Sequence, residues 1–210
     1  MRFDRTKLFD GIRPILSTLN QSQVDGINQI FDVAEADATL TSVRDLAYIL
    51  TTIDVEAGHE WKPIEERGQR SYFNRYEPGT AVGHMLGNTE LGDGYLFRGR
   101  SLVQVTGRRN YQVLSGPCGV DLVTNPDAIL QYPAAWIATH YAMQVGIFTG
   151  KKLSDYISDD PNSAPDYFNA RKIINPGEIH TKPTLVRAMA DNAIKFEIVL
   201  NDALQGALKN

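Results

Sequence analysis

The chain is poor in cysteine: Cys118 is alone among 210 residues. No intrachain disulfide can form, and a lone thiol with no partner motif reads as a small, half-buried packing residue. Long hydrophobic runs are also missing, and a bilayer-spanning helix needs about 18 or more consecutive apolar residues. The opening MRFDRTKLFDGIRPIL has no long apolar core, so no secretory signal is expected. Positive charge is not in excess. Lys and Arg number 21 against 25 Asp and Glu, a net charge of −4, which leaves no basic footprint for nucleic acid. Attraction to an anionic surface would have to be local. Four scattered histidines form no metal motif, since His59-Glu60 lacks a second histidine four residues on. Gly92-Asp93-Gly94 lies in no βαβ unit and is not a dinucleotide fingerprint. With no internal repeat, low-complexity tract or Gly/Ser linker, one domain is expected over 1–210, with 1–40 as an N-terminal helical segment.

The chain is 42% hydrophobic and 22% charged, enough apolar content for an ordinary core. Periodicity predicts a mainly α protein with a loop-rich face and at most a small β element. Residues 3–36 carry two apolar stripes broken at Leu19-Asn20. Ser42, with Asp45 three residues on, predicts a helix start, and Leu46, Ile49, Leu50 and Ile53 continue it until Gly58. Residues 59–92 hold Pro63, Pro78 and several glycines and read as loop, which in a small domain usually lines a site. Helices are expected over 126–149, with Trp136, His140 and Phe148 as core, over 168–174, and over 183–208 on a stripe of Leu185, Met189, Ile194, Ile198 and Leu204. Strand character is confined to 101–105 and 120–124.

Residues 92–111 read GDGYLFRGRSLVQVTGRRNY. Glycines, arginine forks, Gln104, Thr106, Asn110 and Tyr111 occur too densely for a plain core segment. Hydrogen-bonding groups and a ring on a glycine-shaped surface suit a sugar better than a phosphate. Among the acids, Glu56 lies about 20° round the helix from Ile49, at about 100° per residue, on the margin of the apolar stripe. A carboxyl half-sunk in apolar surroundings can hold a proton for delivery as a general acid. The plainer alternative is a last-turn glutamate reaching solvent. Glu65 and Glu66 follow on the loop. They are either a solvated charge run or the second carboxylate that glycoside hydrolysis requires. The loop aromatics Tyr72, Phe73 and Tyr95 could stack on sugar rings or simply pin the loop.

The stretch from Leu46 to Tyr111 resembles the family 19 glycoside hydrolases, the class I chitinase-like group, and within it the short branch used as phage endolysins. Ala47-Tyr48-Ile49-Leu50-Thr51-Thr52-Ile53-Asp54-Val55-Glu56-Ala57 follows the family's helix motif, and Pro63-Ile64-Glu65-Glu66-Arg67-Gly68 the motif after it. Tyr76–Gly83, Leu86–Thr89, Gly92-Asp93-Gly94, Phe97–Arg100 and Gln104–Gly107 follow further segments, and Ile173-Ile174-Asn175 a later one. Val55 departs from the family's histidine, Ser101 from a glycine and Pro176 from a glycine.

The resemblance implies a lysozyme-like, chitinase-like helical fold with a loop-rich cleft. It implies a single catalytic domain without a separate wall-binding module. Glu56 becomes the catalytic acid and Glu66, or Glu65 if the spacing is one shorter, the base. Thr106 holds the attacking water, and Gln104, Asn110 and Asn175 grip the sugars; from the loop and the donor-rich stretch themselves, Tyr72, Arg100 and Tyr111 are expected to line the substrate as well. No metal or cofactor is implied. The expected activity is inverting hydrolysis of β-1,4 bonds between N-acetylated amino sugars of bacterial peptidoglycan. The alternatives are chitin as substrate or a non-catalytic glycan-binding phage protein. An endolysin of this kind is expected to act as a monomer. It would stay in the host bacterial cytoplasm until a holin-like, membrane-permeabilising partner lets it reach the wall.

Overall fold

A computed structural model of the chain describes residues 1–205. In chain order its helices are α1 Arg5–Leu16, α2 Gln21–Ala36, α3 Val43–Glu56, α4 Ala81–Met85, α5 Asp93–Leu96, α6 Arg108–Cys118, α7 Ala134–Val145, α8 Tyr167–Ala170, α9 Glu178–Thr181 and α10 Pro183–Ala203. Two short strands, β1 Ile64–Glu65 and β2 Arg100–Ser101, pair antiparallel. The mainly α class with a small β element is therefore observed. No helix among the described residues is long and apolar enough to cross a membrane. The chain divides into two compact units, residues 1–61 with 143 onward, and residues 62–142.

The first unit is built on capped helices. Asp4 accepts from the N–H groups of Thr6 and Lys7 to start α1, Asn20 and Gln23 form a capping box on α2, and Ser42 accepts the Asp45 N–H to start α3. α3 is buried on every face from Leu46 to Ile53, the mark of a helix at the centre of its unit. α10 packs along α3 and α1. Its buried face is Val186, Met189, Ala193, Phe196, Leu200 and Ala203, whereas Ile194 and Ile198 are exposed. Of the predicted stripe Met189 is buried, while Ala193 and Ala203 take core positions that side-chain size assigns to their neighbours Ile194 and Leu204. Residues 206–208 of that predicted helix lie outside the described residues. Gly26 marks a close approach: a Cβ there would lie 2.2 Å from the Trp61 carbonyl oxygen.

In the second unit, Ile64 faces Ser101 and Glu65 faces Arg100 across the sheet. The strand predicted over 101–105 is shorter than that. Arg100 and Val105 exchange both backbone hydrogen bonds, and the chain turns between them with Ser101 (φ 82°) and Gln104 (φ 56°) left-handed. Residues 120–124 are not a strand, because the Asp121 carboxylate accepts from the N–H groups of Val123 and Thr124 and closes a turn. The single helix predicted over 126–149 is two pieces, a 3₁₀ turn Pro126–Leu130 and then α7, which starts directly after Pro133. α6, from Arg108, was not anticipated.

The long loop is held from within. Asp93 accepts from the N–H groups of Thr89 and Glu90 and from two nitrogens of Arg108 at 2.6 and 2.7 Å. Burial alone would push the Asp93 carboxyl up, but Arg108 and the two N–H groups outweigh it and hold it below the usual range. Phe73, buried in the 3₁₀ helix Arg70–Tyr76, meets Tyr72, Tyr95 and Tyr76 with ring centres 5.2, 5.5 and 6.3 Å away. Phe73 thus pins the loop and cannot itself stack on a ligand.

Candidate active site

Glu56 is the last residue of α3. Its surroundings are not the apolar margin that periodicity predicts. Glu56 Oε1 lies 2.5 Å from Nη2 of Arg171, whose side chain is only 2% exposed. The same guanidinium binds Glu178 Oε2 through Nη2 at 2.5 Å and Nε at 2.8 Å, and Glu178 Oε1 accepts from Lys182 Nζ at 2.8 Å. Burial pushes the Glu178 carboxyl up, but Lys182 and Arg171 outweigh it and hold it below the usual carboxylate range. Asn175 lies exposed in the turn between these partners. Its N–H donates to the Arg171 carbonyl, and its own carbonyl accepts from the Glu178 N–H.

In the second unit, Glu66 is enclosed by donors. Oε2 accepts the Gly99 N–H at 3.1 Å, and Oε1 accepts the Tyr76 hydroxyl at 3.1 Å and Arg75 Nη2 at 3.3 Å. The backbone of Glu66 also donates to the Gly99 carbonyl. Burial and the neighbouring Glu66 charge push the Tyr76 hydroxyl up, so it remains a donor at neutral pH. Gly99 is required here, since a Cβ would lie 2.6 Å from Gln104 Oε1 and 3.2 Å from Glu66 Oε2. Its bare Cα lets the carboxylate and the amide come close. Glu65, pointing to the other face of the strand, is closed differently: its Oε1 lies 2.5 Å from Arg98 Nη2 and 3.0 Å from Arg100 Nε.

The rest of the predicted floor follows. Gln104 Nε2 donates to the Ile64 carbonyl at 3.4 Å, Thr106 Oγ1 to the Gln104 carbonyl at 3.0 Å, and Asn110 Nδ2 to the Thr106 carbonyl at 2.8 Å. Asn110 Oδ1 is buried and accepts no hydrogen bond from the described residues. Arg100 and Tyr111 correct the expectation that they line the substrate. Both are buried, and the Tyr111 hydroxyl accepts from Arg100 Nη1 and donates to the Arg98 carbonyl. They brace the floor from beneath. Tyr72 is exposed, and the Arg75 guanidinium stands 3.9 Å from its ring centre and donates to its hydroxyl.

Glu66, Gln104, Thr106 and Asn110 are therefore assembled in the second unit, while Glu56 and Asn175 belong to the first. Sequence reasoning missed Arg171, Glu178, Arg75 and Tyr76. No local signal singles out Arg171, which stands beside Lys172 in the segment Phe168–Ile174. None existed for Glu178, which reads as an ordinary helix-start acid.

No family model matches the sequence, and no curated protein matches it either. Solved structures do. Chitinase C from Streptomyces griseus HUT6037 is 17% identical, with 91% of this chain and 75% of that one covered and a TM-score of 0.58. A mutant of chitinase C with one glutamate changed to glutamine is 15% identical over 94% and 93% of the two chains, at 0.56. A bacterial family 19 chitinase, described as differing from plant enzymes, is 15% identical over 91% and 93%, at 0.55. The fold is that of the family 19 chitinases, as the sequence resemblance implied.

Proposed function

We propose that the protein is a peptidoglycan-degrading glycoside hydrolase of the endolysin kind, cutting β-1,4 bonds between N-acetylated amino sugars with inversion. The observation that carries this reading is that the motif-matched carboxylates Glu56 and Glu66 are individually held by dedicated partners on a chitinase fold. Glu56 gives its proton to the glycosidic oxygen as the bond to the departing sugar breaks. Glu66 takes a proton from water, whose oxygen bonds to the anomeric carbon from the opposite face. The Glu178 charge supports the acid role, because a protonated Glu56 still leaves Arg171 paired rather than orphaned in the interior.

Glu66 is preferred to Glu65 as base because Glu65 is closed between two guanidiniums. The Thr106 hydroxyl proton is committed to the Gln104 carbonyl, so its oxygen is left to accept from the attacking water. Asn110 Oδ1 is a buried acceptor that a sugar N–H or O–H would satisfy. Gln104 and Asn175 would grip the strand, and Tyr72 would stack on it. In this reading the protein works as a monomer, with no metal or cofactor. It waits in the host cytoplasm until a holin-like partner opens the membrane.

The test is loss of turbidity of permeabilised cell-wall substrate by the wild type and Glu56→Gln. Equal lysis by the two would remove Glu56 from the mechanism. The anomeric configuration of fresh product, read by NMR, checks inversion. Chitin is the second reading, favoured by the chitinase names of the structural neighbours. Mass spectrometry of products from both polymers separates the two, and an anhydro-sugar product would instead indicate a lytic transglycosylase.

A further inference from the structure

The second unit concentrates guanidinium groups in an otherwise acidic chain. Residues 62–142 carry eight Lys and Arg against seven Asp and Glu, while the whole chain is −4. Several of these cations are answered: Arg75 by Glu66, Arg98 by Glu65, Arg100 by Glu65 and Asp127, and Arg108 by Asp93 and Glu90. Arg67, Arg70 and Arg109 are exposed and pair with no carboxylate among the described residues; of these, Arg67 and Arg70 share the segment that carries Glu66.

Arg70 is nevertheless positioned. Its guanidinium stands 5.0 Å from the centre of the Tyr95 ring, which also carries Arg98 at 4.1 Å and is itself set against buried Phe73. A guanidinium held by a ring face keeps its N–H fork for a ligand, which an ion pair would consume. Arg67 follows directly on Glu66, and Gly68 lies close against the Tyr72 ring, where a Cβ would be 2.9 Å from it. That closeness keeps the backbone of Arg67 at the edge of the same aromatic platform.

We infer that Arg67 and Arg70 recognise carboxylate groups carried by the substrate strand, the carboxylates of peptides attached to the glycan. This rests on the glycoside hydrolase reading and deepens it. A neutral polymer of N-acetylated sugars offers these two cations nothing to pair with. A long polyanion would meet a chain of net negative charge. A strand with sparse carboxylates beside its sugars matches two free forks next to a carboxylate that the sugar chemistry uses.

The experiment measures binding in the Glu56→Gln background, by co-sedimentation with three insoluble polymers: intact sacculi, sacculi whose carboxylates have been converted to amides with a carbodiimide and ammonia, and chitin. Arg67→Gln/Arg70→Gln should weaken binding to intact sacculi roughly two- to thirtyfold at low salt, the range that two exposed ion pairs supply. It should leave binding to amidated sacculi and to chitin unchanged. The difference should shrink as salt screens the charges, and Arg67→Lys/Arg70→Lys should recover only part of it, since a lysine keeps the charge but not the fork. Unaltered binding to intact sacculi, or an equal loss on all three polymers, overturns the inference. The hydrolase reading is judged separately by wild-type turnover, so binding specificity without product would sink the enzyme and leave the recognition surface standing.

Discussion

Arg171 holds two carboxylates on one nitrogen, with Nη2 at 2.5 Å from both Glu56 Oε1 and Glu178 Oε2. The guanidinium is buried, so its charge must be answered at all times. Glu178→Gln would leave Glu56 as the only carboxylate at Arg171, so the whole buried guanidinium would bear on the residue proposed as proton donor. The expected result is a kcat lowered on the order of 10²-fold, the usual scale for general acid catalysis. Lost charge-assisted hydrogen bonds should cost about 1.5–3 kcal/mol of stability. Steady-state turnover and thermal melting read the two effects separately. A variant with wild-type kcat and a lowered Tm would reduce Glu178 to a structural role.

Gly99→Ala probes the Glu66 side. The added methyl would meet the flexible end of Gln104 at 2.6 Å and Glu66 Oε2 at 3.2 Å rather than any fixed backbone. The fold should therefore survive, with Tm changed by no more than a few degrees, while the amide and the carboxylate are pushed apart. Misplacement of about 1 Å can cost up to 10²-fold in rate, so a tenfold or larger fall in kcat is expected. Full activity would mean that the closeness of Gln104 to Glu66 is incidental.

Ser101 stands where the resembling family has glycine, and the reason is visible in its φ of 82°. A left-handed conformation costs a non-glycine residue about 1–2 kcal/mol. Ser101 offsets this with a buried hydrogen bond from Oγ to the Ala135 carbonyl at 3.1 Å, worth about 1 kcal/mol. Ser101→Ala keeps the strain and loses the bond, whereas Ser101→Gly loses both. Urea unfolding should therefore rank wild type and Ser101→Gly close together, with Ser101→Ala below them by about 1 kcal/mol or more. If Ser101→Ala matched the wild type, the hydrogen bond would contribute nothing.

What was legible in the sequence was whatever local chemistry dictates. Ser42 and Asn20 announce helix starts because their side chains cap the next few N–H groups. The motif residues Glu66, Gln104 and Thr106 come together because a two-residue strand pair and one bare glycine bring them there. Illegible were the effects of distant partners. Glu56 looked half-apolar because Arg171 lies 115 residues away in sequence. Arg100 and Tyr111 looked like ligand groups because nothing local reveals that they satisfy each other beneath the floor. Ile194 and Ile198 looked like core because periodicity does not weigh alanines that pack more closely.

Asp45 gives the pH dependence. Burial, reinforced by the neighbouring Asp159 charge, pushes its carboxyl from the usual range up to about 7. A raised folded-state value means that the folded chain holds this proton more tightly than the unfolded chain, so stability falls as pH rises from about 4 to about 7 and is level beyond. Asp45→Asn removes the charge and keeps the shape. Ser42 Oγ can still accept the backbone N–H of residue 45. At pH 8 the variant should be more stable by about 1–3 kcal/mol, about 2–4 °C in Tm per kcal/mol for a chain of this size. Below about pH 4 the advantage should vanish, since the wild-type carboxyl is then neutral in both states. The opposing effect is the attraction of an anion to the first turn of α3, worth about 0.3–1 kcal/mol. Melting curves at pH 4 and pH 8 decide which is larger: a variant less stable at pH 8 would mean that the helix terminus outweighs burial and the Asp159 charge.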